Sequence, residues 1–463
     1  MLETGWSSIR DWSIDETLDA NQTLILRVPD RSCYSITYAP LMTTRSFVLI
    51  AAVVLACAGT AQTRPSTPVV LPGISVLLRD SLSLLRGKRA GLITNQTGLN
   101  EKGENDVDLL FAALKAPTGG LTALFSPEHG IRGTEDRSNI ESGRDAKTGL
   151  PVYSLYTTQA VPPADSLLRN LDVLVVDLFD IGTRTWTYVG TMLYAMRAAA
   201  RRGIPVLSLD RPNPLGGRVE GPLLDAAIAN PDDPAPSKPG RAYALYSAPL
   251  RHGLTMGEMA RWFNDELGLK ADLHVIPVAG WQRSQWWDST GLPWVKPSPS
   301  IGNLTSALVY PALVALEATN VSVGRGTSLA FQRFGASWMD ARRVAELLDS
   351  RGLSGVRFIA EEFTPQAPGD NKFAGREIPG VRIEIVDRNR VQVGRVGAAI
   401  VWALHRIHRD SLRITNASFD LRWGSAKSRE ALLATDDPDR VIDAEVPDVV
   451  AWQQKVRRHL LYR

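Results

Sequence analysis

Leu171-Asp-Val-Leu-Val-Val-Asp-Leu-Phe-Asp-Ile-Gly182 is the stretch that decides the fold. Its first six residues are nearly all apolar and rich in valine, the pattern of a short strand buried on both faces. A turn carrying Asp177 and Asp180 follows. Beyond it, Tyr188 to Arg202 sets Met192, Ala195, Met196 and Ala199 at helical spacing, and Pro205-Val-Leu-Ser-Leu209 is a second apolar run. Strand, helix and strand in this order specify a parallel sheet covered by helices.

Working outward, Arg89-Ala-Gly-Leu-Ile-Thr94 and Leu121-Thr-Ala-Leu-Phe125 read as further buried strands, with a helix expected over Asp106 to Leu114. Each strand runs into a polar segment: Asn95-Gln-Thr-Gly98, Ser126-Pro-Glu-His-Gly130, Asp177 to Gly182, and Asp210-Arg-Pro-Asn-Pro214. In open α/β sheets ligands bind outside the carboxyl ends of the strands, so these four segments are expected to meet at one crevice. From Val278 the pattern changes. Trp281, Trp286, Trp287 and Trp294 fall within 14 residues, and helices and strands then mix without βαβ periodicity. The expectation is an α/β chain: a parallel-sheet domain over residues 66–277, then a smaller α+β domain over 278–463.

At 463 residues and 44% hydrophobic, the chain can fill two cores, and 22% charge argues against a largely disordered protein. Phe47 to Ala58 runs 12 residues without a charge, too short for a membrane-spanning helix, which needs about 20. Met42-Thr-Thr-Arg45 precedes it and small residues follow, the layout of a secretory signal. Residues 1–61 are therefore expected to be an extension and an export signal, with the true start at Met42. Val54-Leu55-Ala56-Cys57 also approximates a lipobox, which would make Cys57 a lipid-anchored N-terminus. The expected location is the periplasm or the cell envelope. The only cysteines, Cys33 and Cys57, lie in or before this signal. Removing residues 1–61 leaves 48 basic and 43 acidic residues, a net +5. No dense basic run suggests nucleic acid, and no feature fixes an oligomeric state.

Several chemistries are excluded by motif. There is no G-x-S-x-G elbow, no phosphate-binding loop and no H-E-x-x-H. No metal and no cofactor is expected. Carboxylates remain. Glycoside hydrolysis uses one carboxyl group to protonate the leaving oxygen and a second as nucleophile or base, unless a substrate acetamido group attacks instead. Glu128, Asp177, Asp180, Asp210 and Glu220 all lie at strand ends or just beyond. Glu128, between Pro127 and His129-Gly130, is the expected general acid. Asp177 or Glu220 is the expected second group, and His129 a neighbour in the site. An aspartate at such a turn also commonly caps a helix.

The blocks Gly91 to Gly98, Phe125 to Gly133, Asp177 to Tyr188, Asp210 to Gly216, Val219 to Pro222 and Asn320 to Thr327 resemble, in order, the exo-β-N-acetylmuramidase (NamZ) family. The resemblance runs from about Val70 to the C-terminus; Ala318 and Val323 depart from the family pattern. It implies a Rossmann-like N-terminal domain, a smaller C-terminal domain, and release of N-acetylmuramic acid from non-reducing ends of peptidoglycan fragments. It also implies that the catalytic glutamate of the Ser-Pro-Glu-His-Gly block is Glu128. The substrate's lactyl carboxylate suits a planar arginine fork. Arg132, Arg184, Arg211 and Arg325 are the candidates, each as readily a structural brace. Trp186 and Tyr188 could stack on a sugar or pack on the sheet. Asn95, Asp180, Asp210, Asn213 and Asn320 complete the expected binding set. The rival reading is a non-catalytic exported lipoprotein that binds wall fragments or sugars.

Overall fold

The computed structural model describes residues 70–115, 117–131, 141–156, 160–231 and 242–463, together with the backbone of two short strands further upstream. Those two, Thr23–Arg27 and Cys33–Thr37, pair antiparallel in a compact unit of their own, residues 1–66. The expected export signal and Cys57 lie outside the described residues. Residues 67–463 form a second compact unit.

Its strands are β1 (Arg89–Thr94), β2 (Gly120–Ser126), β3 (Gly143–Arg144), β4 (Pro151–Ser154), β5 (Val173–Asp177), β6 (Val206–Leu209), β7 (Glu220–Leu223), β8 (Pro249–Arg251), β9 (Leu273–Ile276), β10 (Arg333–Gly335), β11 (Val356–Phe363) and β12 (Ile378–Ile385). The longer helices are α1 (Asp106–Ala113), α2 (Thr187–Arg202), α3 (Met256–Glu266), α4 (Leu304–Leu313), α5 (Ala341–Asp349), α6 (Val393–His408), α7 (Asn416–Trp423), α8 (Ala426–Ala434) and α9 (Pro438–Val456). Seven strands make one sheet in the order β9-β6-β5-β1-β2-β4-β3, parallel except for β3 at one edge. Chain order reverses between β1 and β5, which is the switch point of a doubly wound sheet. A second sheet, β10-β12-β11, is antiparallel and sits among helices, so the C-terminal part is α+β.

Strand β5 is buried along its whole length, and its side chains alternate between two cores. Val173 and Val175 join a cluster with Ile74, Leu92 and Leu110; Leu174 and Val176 join the larger cluster with Met192, Trp186 and Tyr310. A strand apolar on both faces is stable only with both covered, as its sequence predicts. In β2 the register with β1 slips: Ala90 pairs with Leu121 but Gly91 with Ala123, leaving Thr122 as a bulge. The bulge turns Phe125 onto the face of the larger core, where the following turn must lie.

The last residues of the chain fold back onto the first sheet. The Tyr462 hydroxyl donates to Asp210 Oδ2 at 2.6 Å and accepts from the Val278 amide at 2.8 Å. The Leu461 amide reaches Glu258 Oε1 at 2.8 Å, and Trp281 packs edge-on against the Tyr462 ring. Burial pushes the Asp210 carboxyl up to about 6, against the pull of Tyr462, Gly257 and Thr255. Because this folded value exceeds the unfolded one, the group favours folding at low pH, and that contribution is lost as pH rises through about 6. Tyr462 supports the ionised form. Tyr462→Phe should therefore destabilise the protein by about 1.5–3 kcal/mol at pH 8 and by less at pH 5, as measured by urea unfolding at the two pH values.

Candidate active site

After β2 the chain makes a tight turn, Pro127-Glu128-His129-Gly130, closed by a bond from the Gly130 amide to the Pro127 carbonyl at 3.1 Å. His129 has φ of 71°, the left-handed region that a type II turn requires at its third position and that glycine usually fills. Holding a histidine there costs about 1 kcal/mol or more. The result is that Glu128 stands forward of the sheet. Its Oε2 accepts from the Thr187 hydroxyl at 2.5 Å, at the first residue of α2. Tyr188, one residue on, is buried and donates to the Pro297 carbonyl at 2.6 Å. Burial, and then the charge of Glu128, push the Tyr188 phenol well above its ordinary value, so it stays protonated as a brace beneath the turn.

Glu128 and His129 line a cleft of about 390 Å³. Trp186, Tyr310, Phe331, Tyr156 and Tyr243 supply aromatic walls, and Glu317, Arg325, Asp370 and Arg422 come from the C-terminal part. Arg325 donates from Nε and Nη2 to Glu317 Oε1 at 2.8 and 2.6 Å, and from Nη1 to Ser300 Oγ at 2.9 Å. Burial alone would raise the Glu317 carboxyl, but Arg325 and Arg422, with Lys372 behind them, hold it below the ordinary glutamate value. Glu317 is thus a fixed anion on the wall facing sugar-sized space. Among the described residues no group of three or more potential ligands is arranged to hold a metal ion.

Of the expected site residues, Glu128, His129, Trp186 and Arg325 meet at this cleft, and the other described ones are placed elsewhere. Asp177 is buried in a bidentate pair with Arg211, 2.5 and 2.8 Å, while Arg211 Nη1 also donates to the Leu99 carbonyl. Asp180 accepts from the Gly182 amide at 2.6 Å and lies 3.2 Å from His252 Nε2. Asp210 holds Tyr462, Thr255 and the start of α3. Glu220 pairs with Arg251 at 2.8 Å, away from the cleft. Asn95 closes its own turn through Thr97. Asn213 binds the Leu254 carbonyl and the Leu215 amide, and Asn320 ties Ser411 to Arg413. Arg184 is fully buried and donates to the carbonyls of Leu421, Arg422 and Trp423 at 3.0–3.2 Å, closing the end of α7. Arg132 lies outside the described residues.

Glu317, Arg422 and Asp370 were not anticipated. One signal did exist for Glu317: it is the only charged residue between Leu304 and Ala318, so it had to be buried with partners. Arg422 carries no such mark in an ordinary amphipathic helix.

The models of the N-terminal and C-terminal parts of exo-β-N-acetylmuramidase NamZ match residues 90–305 and 308–462. The chain belongs to the NamZ family. It is 37% identical over 398 residues to peptidoglycan β-N-acetylmuramidase NamZ of Bacillus subtilis (strain 168), covering 85% of this chain and 92% of that protein. Crystal structures of two DUF1343 family proteins from Bacteroides fragilis NCTC 9343 superpose with TM-scores of 0.75 and 0.67, at 33% and 26% identity. Each comparison covers 85% of this chain and 99% of the other. Seen against the two NamZ parts, the cleft is a joint product: Glu128 comes from the first, and Glu317, Arg325 and Arg422 from the second.

Burial draws the Arg184 guanidinium down to about 10, still protonated at neutral pH and satisfied only by the α7 carbonyls. Arg184→Ala should cost about 3 kcal/mol or more. Urea unfolding of the variant checks this, and a midpoint equal to the parent's would rule out the bracing role.

Proposed function

We propose that the protein is an exo-acting glycoside hydrolase that releases N-acetylmuramic acid from the non-reducing ends of peptidoglycan fragments, with Glu128 as its general acid. The observation that carries this reading is the setting of Glu128. It stands on the wall of a sugar-sized cleft, and its partner is the neutral Thr187 hydroxyl, whereas Glu317 and Asp370 each lie beside a cation. Among the described residues no ion pair is made by Glu128, and acid catalysis of glycoside cleavage calls for a carboxyl group at the leaving oxygen. Aromatic side chains on the same walls suit the apolar face of a pyranose ring. The peptidoglycan substrate named for the Bacillus subtilis relative supports the assignment of substrate class. We also read the doubly wound sheet as Rossmann-like, a scaffold for this turn rather than a nucleotide site.

Glu128→Gln keeps size and hydrogen bonding but has no proton to give. The variant should melt like the parent and lose about 10²–10⁴-fold in turnover of a natural disaccharide. An aryl muramide with a good leaving group should lose less. A rate near the parent's on the disaccharide would exclude Glu128 as the acid.

We further infer export, from the uncharged segment Phe47 to Ala58 and the basic residue before it. The protein isolated from its host should begin near Cys57, Gly59 or Gln62 by intact-mass analysis; retention of residues 1–41 would defeat this inference.

A further inference from the structure

Two cations and two carboxylates line the C-terminal wall of the cleft, with Lys372 behind them. Lys372 lies 3.8 Å from Asp370 and donates to the carbonyls of Leu316, Glu317 and Val321. Arg325 donates from its three nitrogens to Glu317 and Ser300. Arg422 is held less closely. Its Nε is 3.7 Å from Glu317 Oε2, beyond hydrogen-bond distance, and its Nη1 donates to Ser418 Oγ at 2.6 Å and to the Ser418 carbonyl at 3.2 Å. Among the described residues, Nη2 has no hydrogen-bond partner. The Arg422 guanidinium is thus the more loosely paired of the two cations that line the cavity, at 3.7 Å from its nearest carboxylate oxygen among the described residues.

The group is also held in place. The Arg422 guanidinium lies over the Tyr243 ring at 4.7 Å, which fixes the plane of the fork. Its backbone carbonyl accepts from the buried Arg184, so the last turn of α7 does not drift. A planar, pre-oriented and incompletely paired guanidinium is the arrangement that captures a carboxylate.

We propose that Arg422 receives the carboxylate of the substrate's lactyl ether, so that this residue distinguishes a muramic acid from a glucosamine unit. The inference rests on the muramidase reading of the cleft and names the contact that sets its specificity. Glu317 and Arg325 then act as the frame: Glu317, anchored by Arg325, draws the Arg422 Nε side toward the wall and leaves the Nη2 side facing the substrate.

The test compares a chromogenic aryl N-acetylmuramide with its lactyl methyl ester, which carries the same leaving group and no charge. The parent should prefer the acid, and Arg422→Gln should lose about 10- to 100-fold in kcat/KM on the acid, chiefly through KM, with a much smaller loss on the ester. Arg422→Lys should keep part of the preference, because it retains the charge without the fork. Calorimetric titration reads the contact without turnover: the parent should bind free N-acetylmuramic acid in preference to N-acetylglucosamine, and Arg422→Gln should not. Equal losses on acid and ester in a variant that melts like the parent would overturn the proposal, as would an unchanged preference in the titration. A parent that shows the binding preference yet cleaves neither substrate would instead overturn the hydrolase reading and leave this contact standing.

Discussion

The buried guanidinium of Arg184 is the constraint on which the rest of the cleft depends. It leaves the loop after β5 and ends on three carbonyls at the close of α7, more than two hundred residues further along the chain. Removing a guanidinium from water costs several kcal/mol. The compensation is electrostatic as well as geometric, since the final carbonyls of a helix carry the negative end of its dipole and otherwise lack partners. The groups that partner each other here come from different parts of the chain. Union of the two parts is thereby a condition of low energy, and the wall bearing Glu317, Arg325 and Arg422 is brought to face the wall bearing Glu128.

The same economy of buried charge explains why the switch point of the sheet is not where the open space lies. At the switch point between β1 and β5, Asp177 and Arg211 occupy the crevice with each other, and Thr94 donates to the neighbouring Asp106. Burial, and then the charge of Asp177, push the Asp106 carboxyl well above its ordinary range, so a second anion is not added beside the pair. The crevice is filled by the chain's own groups. Open space survives one strand further out, beyond β2, where the bulge at Thr122 and the left-handed His129 carry Glu128 clear of the packed crevice.

The legible part of this architecture was the part written in local pattern. Alternating burial of β5, the helix after it and the turn of Glu128 all follow from a dozen adjacent residues each. Strand-end position alone was a weaker guide to chemistry. It selected Asp177, Asp180, Asp210 and Glu220 together with Glu128, and four of these five face an arginine, a histidine or a tyrosine that is distant in sequence. Which carboxylate is consumed by a partner depends on tertiary pairing, and no spacing rule encodes it. Arg422 is the converse case, a residue whose sequence surroundings are ordinary and whose significance comes from what the fold leaves unpaired around it.

The contact between Asp210 and Tyr462 spans 252 positions, and that length has a meaning in time. At about 5–20 residues per second, Tyr462 is synthesised on the order of 10–50 s after Asp210. Through that interval the end of β6 carries a buried-to-be carboxyl group with one of its donors missing, and contacts so remote are the slow ones in any folding reaction. The bonds from Thr255 and Gly257 to Asp210 can form long before the bond from Tyr462, which is the last of the set to become available.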